Sequence, residues 1–140
     1  MRRIATGLLV VFLVFGFGTV SVAQNVVTED LVDGLKDPTS WLSYSGDYSG
    51  KRHSPLTGIT PANVDGLKAQ WTFQTGVLGK FEATPIVLDG IIYISGPDNN
   101  AWAIDARTGR TIWRYRRNLP GGLSVCCGRV NRGLAVFGDK

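Results

Sequence analysis

The chain has 140 residues, 15 Lys and Arg against 11 Asp and Glu, a formal net charge of +4 and only two cysteines. That length allows one ordinary domain at most. The scattered positive charge forms no continuous basic face, which argues against nucleic-acid binding.

Residues 1–23 read as a secretory signal peptide. Arg2 and Arg3 make a short basic start, Ile4 to Val20 is apolar apart from Thr and Gly, and Ser21-Val22-Ala23 offers the small residues that cleavage requires. The arginine pair lacks a twin-arginine context, so the general secretory route is expected. Removal of the leader takes away two positive charges and no negative one, lowering +4 to +2. The mature chain, residues 24–140, is then expected in the periplasm with no stable membrane span. A disulfide can form and persist there.

Asp30 to Lys36 is expected to form a short helix, ended by Asp37-Pro38-Thr39-Ser40. Trp41-Leu42-Ser43-Tyr44 is the first packing segment, followed by a turn-rich loop through Arg52. Thr60-Pro61 has the form of a helix N-cap with proline in the first turn. One or two turns should follow, with Ile59, Val64 and Leu67 packing on one side. From Leu67 to Thr75 the period changes: Leu67, Ala69, Trp71 and Phe73 alternate with Lys68, Gln70, Thr72 and Gln74, the pattern of a half-buried strand.

Beyond Thr84 the punctuation becomes regular. Thr84 to Leu88 and Ile91 to Ser95 read as strands joined by Asp89-Gly90, a tight hairpin turn whose residues tolerate positive φ. A loop at Gly96-Pro97-Asp98-Asn99-Asn100 leads to a third strand, Ala101 to Asp105. A turn at Ala106 to Arg110 leads to a fourth, Thr111 to Tyr115. Arg114, Arg116 and Arg117 then mark an exposed strand edge. Four short antiparallel strands in about 32 residues make one sheet of a propeller-like repeat. Gly133 to Lys140 repeats the apolar-run-then-turn pattern of Pro85 to Gly90 at an offset of 48 residues, a plausible blade period. The return strand should come next, so the sequence reads as the start of a longer repeat protein.

Ala103-x-Asp105-x-x-Thr108-Gly109-Arg110-x-x-Trp113 carries structure rather than chemistry. Asp105 and Thr108 can satisfy turn backbone groups and Gly109 allows positive φ. Trp113, like Trp71, has the area to pack flat against a neighbouring sheet. This stretch resembles the tryptophan-docking motif of eight-bladed quinoprotein propellers, a motif that non-catalytic periplasmic scaffold propellers also carry.

Cys126 and Cys127 are adjacent. Neighbouring Cα atoms stand about 3.8 Å apart across a trans peptide, closer than the roughly 4.4–6.8 Å of ordinary disulfides. A bridge between them would close a strained eight-membered ring and staple no long loop. Such a ring offers a rigid, flat, polarizable surface on which a planar cofactor could stack. The alternative is a pair of reduced cysteines acting as small hydrophobes. His53 is the only histidine and lies far away in sequence, and no metal-binding or haem-attachment cysteine spacing occurs.

Cys126-Cys127-Gly128-Arg129-Val130-Asn131-Arg132-Gly133 resembles the vicinal-cysteine segment of methanol and ethanol dehydrogenases that use pyrroloquinoline quinone (PQQ). Phe81-Glu82-Ala83-Thr84-Pro85 resembles the family's Glu-x-x-Pro segment. The resemblance covers residues 41–140, including Trp41 to Gly50 with Arg52 and Ser54-Pro55-Leu56, which would cover and close the ring. It implies an all-β fold: the N-terminal fragment of an eight-bladed β-propeller, with an N-terminal strand, a first four-stranded blade and the start of the next.

It also implies cofactor-binding roles for Glu82, Cys126, Cys127 and Arg132. The Cys126–Cys127 disulfide would lie on one face of PQQ, and Arg132 beside its reactive carbonyl oxygens. Arg129 receives no role. The family's Asp base and calcium ligands are expected after Lys140, so this chain should hold no catalytic or metal-binding residue of its own. The parent enzyme would oxidise primary alcohols to aldehydes, with hydride passing to PQQ and electrons to cytochrome c. The 140-residue chain alone should be inactive. A non-enzymatic periplasmic scaffold is the competing reading; it accounts for Ala103 to Trp113 but not for Cys126-Cys127 with Arg132.

Overall fold

The computed structural model describes residues 25–139; the expected signal peptide lies outside them. Four strands, β1 (Ile86–Leu88), β2 (Ile91–Gly96), β3 (Asn100–Asp105) and β4 (Thr111–Arg116), form one antiparallel sheet in sequence order. The turns follow from their residues. Asp89 and Gly90 take φ values of 51° and 72°, the paired positive φ of a two-residue hairpin whose twist matches its strands. Asp98 and Asn99, at 56° and 52°, are among the non-glycine residue types that adopt this conformation most readily. At the third turn the Asp105 carboxylate accepts hydrogen bonds from the Thr108 hydroxyl at 2.8 Å and from the backbone N–H groups of Thr108 and Arg107 at 2.8 and 3.0 Å.

Strand alternation gives β1 to β3 side chains on two faces, both packed against other segments. Ile86, Tyr93, Ala103 and Trp113 are successive cross-strand partners and share one face. On it Leu88 and Tyr93 pack with Val26, Leu31, Leu42 and Val136. Trp102, between its partners Ile94 and Arg114, faces the other way and is 2% exposed. Phe73 meets it edge-on at 6.2 Å, Phe81 lies at 6.1 Å, and the Arg114 guanidinium sits 5.4 Å over its ring. Trp41 adds one rung beyond β1, exchanging backbone hydrogen bonds of 2.8 and 2.9 Å with Val87. β4 is exposed throughout, and its arginines suit an edge that must not pair indiscriminately.

Trp71, rather than the motif's own Trp113, docks on the β3–β4 turn. Its indole N–H donates to the Ala106 carbonyl at 3.1 Å, and its ring lies against Gly109, where an added methyl would come within 2.6 Å of ring carbons. Trp113 is 43% exposed and touches the Tyr93 ring at 6.1 Å.

Several elements differ from the sequence expectation. The helix expected over 30–36 is split into α1 (Thr28–Val32) and a 3₁₀ turn, Gly34–Lys36. Asp33 leaves helical geometry, and glycine after it weakens propagation. In the 60s, Asn63 rather than Thr60 makes the side-chain contact, accepting the Thr60 N–H at 2.7 Å. Only a 3₁₀ turn, Val64–Gly66, follows. So short a turn builds no apolar face, and Ile59, Val64 and Leu67 are exposed.

Residues 67–75 form no strand and have no ladder partner among the described residues. Their alternation of burial begins at Trp71 rather than Leu67. Residues 133–139 likewise form no strand. A ladder needs a neighbouring edge, and the single rung found there joins Gly138 to Val26.

Candidate cofactor site

Two stretches remote in sequence build the site. Glu82 lies just before β1. The cysteines lie after β4 in a turn closed by a 3.3 Å hydrogen bond from the Gly128 N–H to the Val125 carbonyl. That turn places Cys126 and Cys127 at its two central positions, and both are exposed. The loop then meets the end of β2. The buried Ser95 hydroxyl donates to Asn131 Oδ1 at 2.6 Å, and the same oxygen accepts the Gly133 N–H at 3.0 Å.

Arg132, between those two residues, extends to Glu82, with Nη2 to Oε2 at 3.4 Å. The arginine side chain is 73% exposed and the glutamate 36%, so the pair is solvent-screened and contributes little to stability. It puts a fixed cation and a carboxylate together at the surface.

The bridge implied by the resemblance is not formed in this structure. Both cysteines are free, and their Sγ atoms approach to 3.1 Å as thiol and neighbour. The turn brings them side by side, while bond formation needs an oxidant to accept two electrons. The Cys126 thiol pushes the Cys127 thiol above its ordinary value, helped by desolvation and by the Glu82 charge, while Arg132 pulls it down. Cys127 therefore lies within electrostatic reach of both partners of the ion pair.

The cysteine loop also lines an open groove of about 500 Å³ with Leu78, Lys80, Pro97 and Asp98. That volume is in the range of small-molecule pockets, though Glu82 and Arg132 are not among its walls. Among the described residues no three His, Cys, Asp or Glu side chains assemble into a possible metal site, and no helix is long and apolar enough to cross a membrane.

Four contributors escaped the sequence reading. Ser95 sits inside a strand, where nothing distinguishes it from an ordinary core serine. Asn131 was visible as part of the motif but without a function. Asp98 and Arg129 pair at 3.3 Å; in the sequence the first reads only as a turn residue and nothing marks the second.

Residues 41–140 match the PQQ family model described as the glucose/ethanol/alcohol dehydrogenase β-propeller domain. Among curated proteins, the chain is 38% identical over 123 residues to quinohemoprotein alcohol dehydrogenase ADH-IIG of Pseudomonas putida, covering 85% of this chain and 17% of that protein. It is 39% identical over 123 residues to 1-butanol dehydrogenase (quinone) of Thauera butanivorans, covering 86% and 20%.

Among solved structures, quinohemoprotein alcohol dehydrogenase ADHIIG from Pseudomonas putida HK5 superposes with a TM-score of 0.71 at 38% identity, over 81% of this chain and 17% of that one. A europium-containing methanol dehydrogenase gives 0.64 at 32%, over 77% and 20%. The chain spans about a fifth of the length of the curated relatives it matches. With the sheet, the docked Trp71 and the cysteine loop in place, the chain belongs to the PQQ β-propeller family of glucose, ethanol and alcohol dehydrogenases.

Proposed function

We propose that the chain is the N-terminal part of an exported PQQ-dependent alcohol dehydrogenase and builds one half of its cofactor site. The observation that carries this reading is the meeting of Glu82 and Arg132 at 3.4 Å, within electrostatic reach of Cys127. The donor set fits the cofactor's chemistry: PQQ is planar, carries carboxylates and adjacent carbonyls, and calls for a flat contact surface and a fixed cation.

When bound, PQQ supplies a two-electron acceptor for the alcohol. The residues of this chain hold and polarise. Cys126 and Cys127, joined as a disulfide in the periplasm, form the flat contact face. Arg132 stays charged at any working pH and would stabilise negative charge on an oxygen of bound PQQ. Glu82 orients that guanidinium and offers a second polar contact. The general base, the ligands for calcium or a lanthanide ion, and the opposite wall of the pocket come from residues beyond Lys140. The substrate is a primary alcohol, the electron acceptor is cytochrome c, and residues 1–23 are the export signal.

The test is alcohol-dependent dye reduction by the full-length protein reconstituted with PQQ and calcium or a lanthanide. Cys126→Ala should abolish most of the activity. A wild-type rate in that variant would remove the stacking role. A folded full-length protein that binds no PQQ and oxidises no alcohol with either metal would instead favour the scaffold reading.

A further inference from the structure

The cysteine loop is tied to the sheet at two points that the cofactor reading leaves without a task. After the cysteines, the Ser95 hydroxyl, in a residue only 1% exposed, donates to Asn131 Oδ1. Two residues earlier, on the same side of the cysteines, the Asp98 N–H donates to the Arg129 carbonyl at 3.0 Å, while the Arg129 guanidinium pairs with the Asp98 carboxylate. The same guanidinium reaches back across the cysteine turn, Nη2 donating to the Leu123 carbonyl at 3.4 Å. Arg129 therefore holds both sides of the Cys126–Cys127 turn and fastens them to the β2–β3 turn.

We propose that Arg129 and Asn131 are positioning residues: Arg129, through Asp98 and Leu123, holds the cysteine turn in the geometry that lets the two sulfurs join, and Asn131, through Ser95, anchors the chain that leaves this turn, so that the turn keeps its place and Arg132 reaches Glu82. The purpose of this clamp rests on the cofactor reading, but its effect on the thiols does not. An eight-membered ring between neighbours is strained. A loose turn has conformational freedom as a dithiol that the ring cannot keep, and a clamp present in both states removes that difference. The identity of residue 131 follows from its contacts. Its Oδ1 takes two donors, one of them a buried hydroxyl, so losing the acceptor strands a polar group. An aspartate would accept both.

The experiment equilibrates the full-length apoprotein with glutathione and glutathione disulfide and measures the Cys126–Cys127 bridge by mass spectrometry. On oxidation the two thiols lose two protons and two electrons, an Sγ–Sγ bond forms, and glutathione disulfide is reduced to two glutathione thiols. Arg129→Ala and Asn131→Ala should each move the equilibrium about tenfold toward the dithiol. Asn131→Asp should remain close to wild type. Asp98→Arg combined with Arg129→Asp should recover much of what Arg129→Asp alone loses.

If Arg129→Ala fails to fold, Arg129→Lys and Asp98→Asn test the same contacts more gently and should shift the equilibrium in the same direction. Variants that lower thermal stability while leaving the thiol equilibrium at its wild-type value would overturn the proposal. PQQ titration of the wild type separates the two readings. A shifted thiol equilibrium in the variants with no PQQ binding by the wild type defeats the cofactor reading and leaves the clamp standing. PQQ binding with unshifted thiols defeats the clamp alone.

Discussion

Gly109→Ala tests the docking of Trp71 on the β3–β4 turn. Gly109 has φ of 71°, a left-handed conformation that costs an L-residue about 1–2 kcal/mol. The added methyl would also sit 2.6 Å from Trp71 Cδ2 and Cε3, so the ring must leave. With it goes the hydrogen bond to the Ala106 carbonyl, worth about 1 kcal/mol, and part of the packing of a half-buried ring, worth roughly another 1 kcal/mol by area. The sum is about 3–4 kcal/mol.

In a Trp71→Ala background the clash has no partner, and the same substitution should cost only the backbone share, about 1–2 kcal/mol. Urea unfolding followed by circular dichroism measures all four members of this cycle, since tryptophan fluorescence would itself change with Trp71. Equal costs in the two backgrounds would refute the clash. A cost near zero in both would refute the backbone geometry as well.

Two further outcomes concern titration. The Cys126 thiol, then desolvation, raise the Cys127 thiol, with Glu82 also raising it and Arg132 lowering it; thiolate formation and iodoacetamide labelling of Cys127 should therefore shift to lower pH in Cys126→Ala and Glu82→Gln and to higher pH in Arg132→Ala, read as site-resolved labelling rates. At Asp105, the Thr108 hydroxyl and then its N–H hold the carboxyl below its ordinary value of 3.8. A depressed folded value gives stability that is present above the unfolded value and is lost as pH falls through the folded one. Thr108→Ala should thus flatten the acid limb of the unfolding curve, and an unchanged acid limb would count against the Asp105 contacts.

The sheet was legible because two signals agree along it: short apolar, strand-favouring runs in β1 to β4, and turn residues at regular intervals that suit the backbone they must adopt. Where only one signal was present the reading slipped. Thr60-Pro61 has the chemistry of a helix start, but Gly66 follows too soon for the helix to grow. Leu67 to Phe73 has the alternation, yet a strand also needs a neighbouring edge, which one segment's pattern cannot report.

The site divides in the same way. Glu82, Cys126, Cys127 and Arg132 were named from resemblance to a family, since a lone glutamate or an adjacent cysteine pair is ambiguous on residue type. Asp98–Arg129 and Ser95–Asn131 depend on how the β2–β3 turn meets a loop some thirty residues later. No periodicity or spacing within a single sequence encodes such a meeting.

Equilibrium binding of PQQ to the full-length protein, in calcium and in a lanthanide, tests the central claim most directly when wild type and Arg132→Ala are compared. A hydrogen bond to a charged group contributes about 1.5–3 kcal/mol, so loss of the Arg132 guanidinium should weaken binding roughly tenfold or more. Wild-type affinity in Arg132→Ala would contradict the claim that this loop forms part of the cofactor wall.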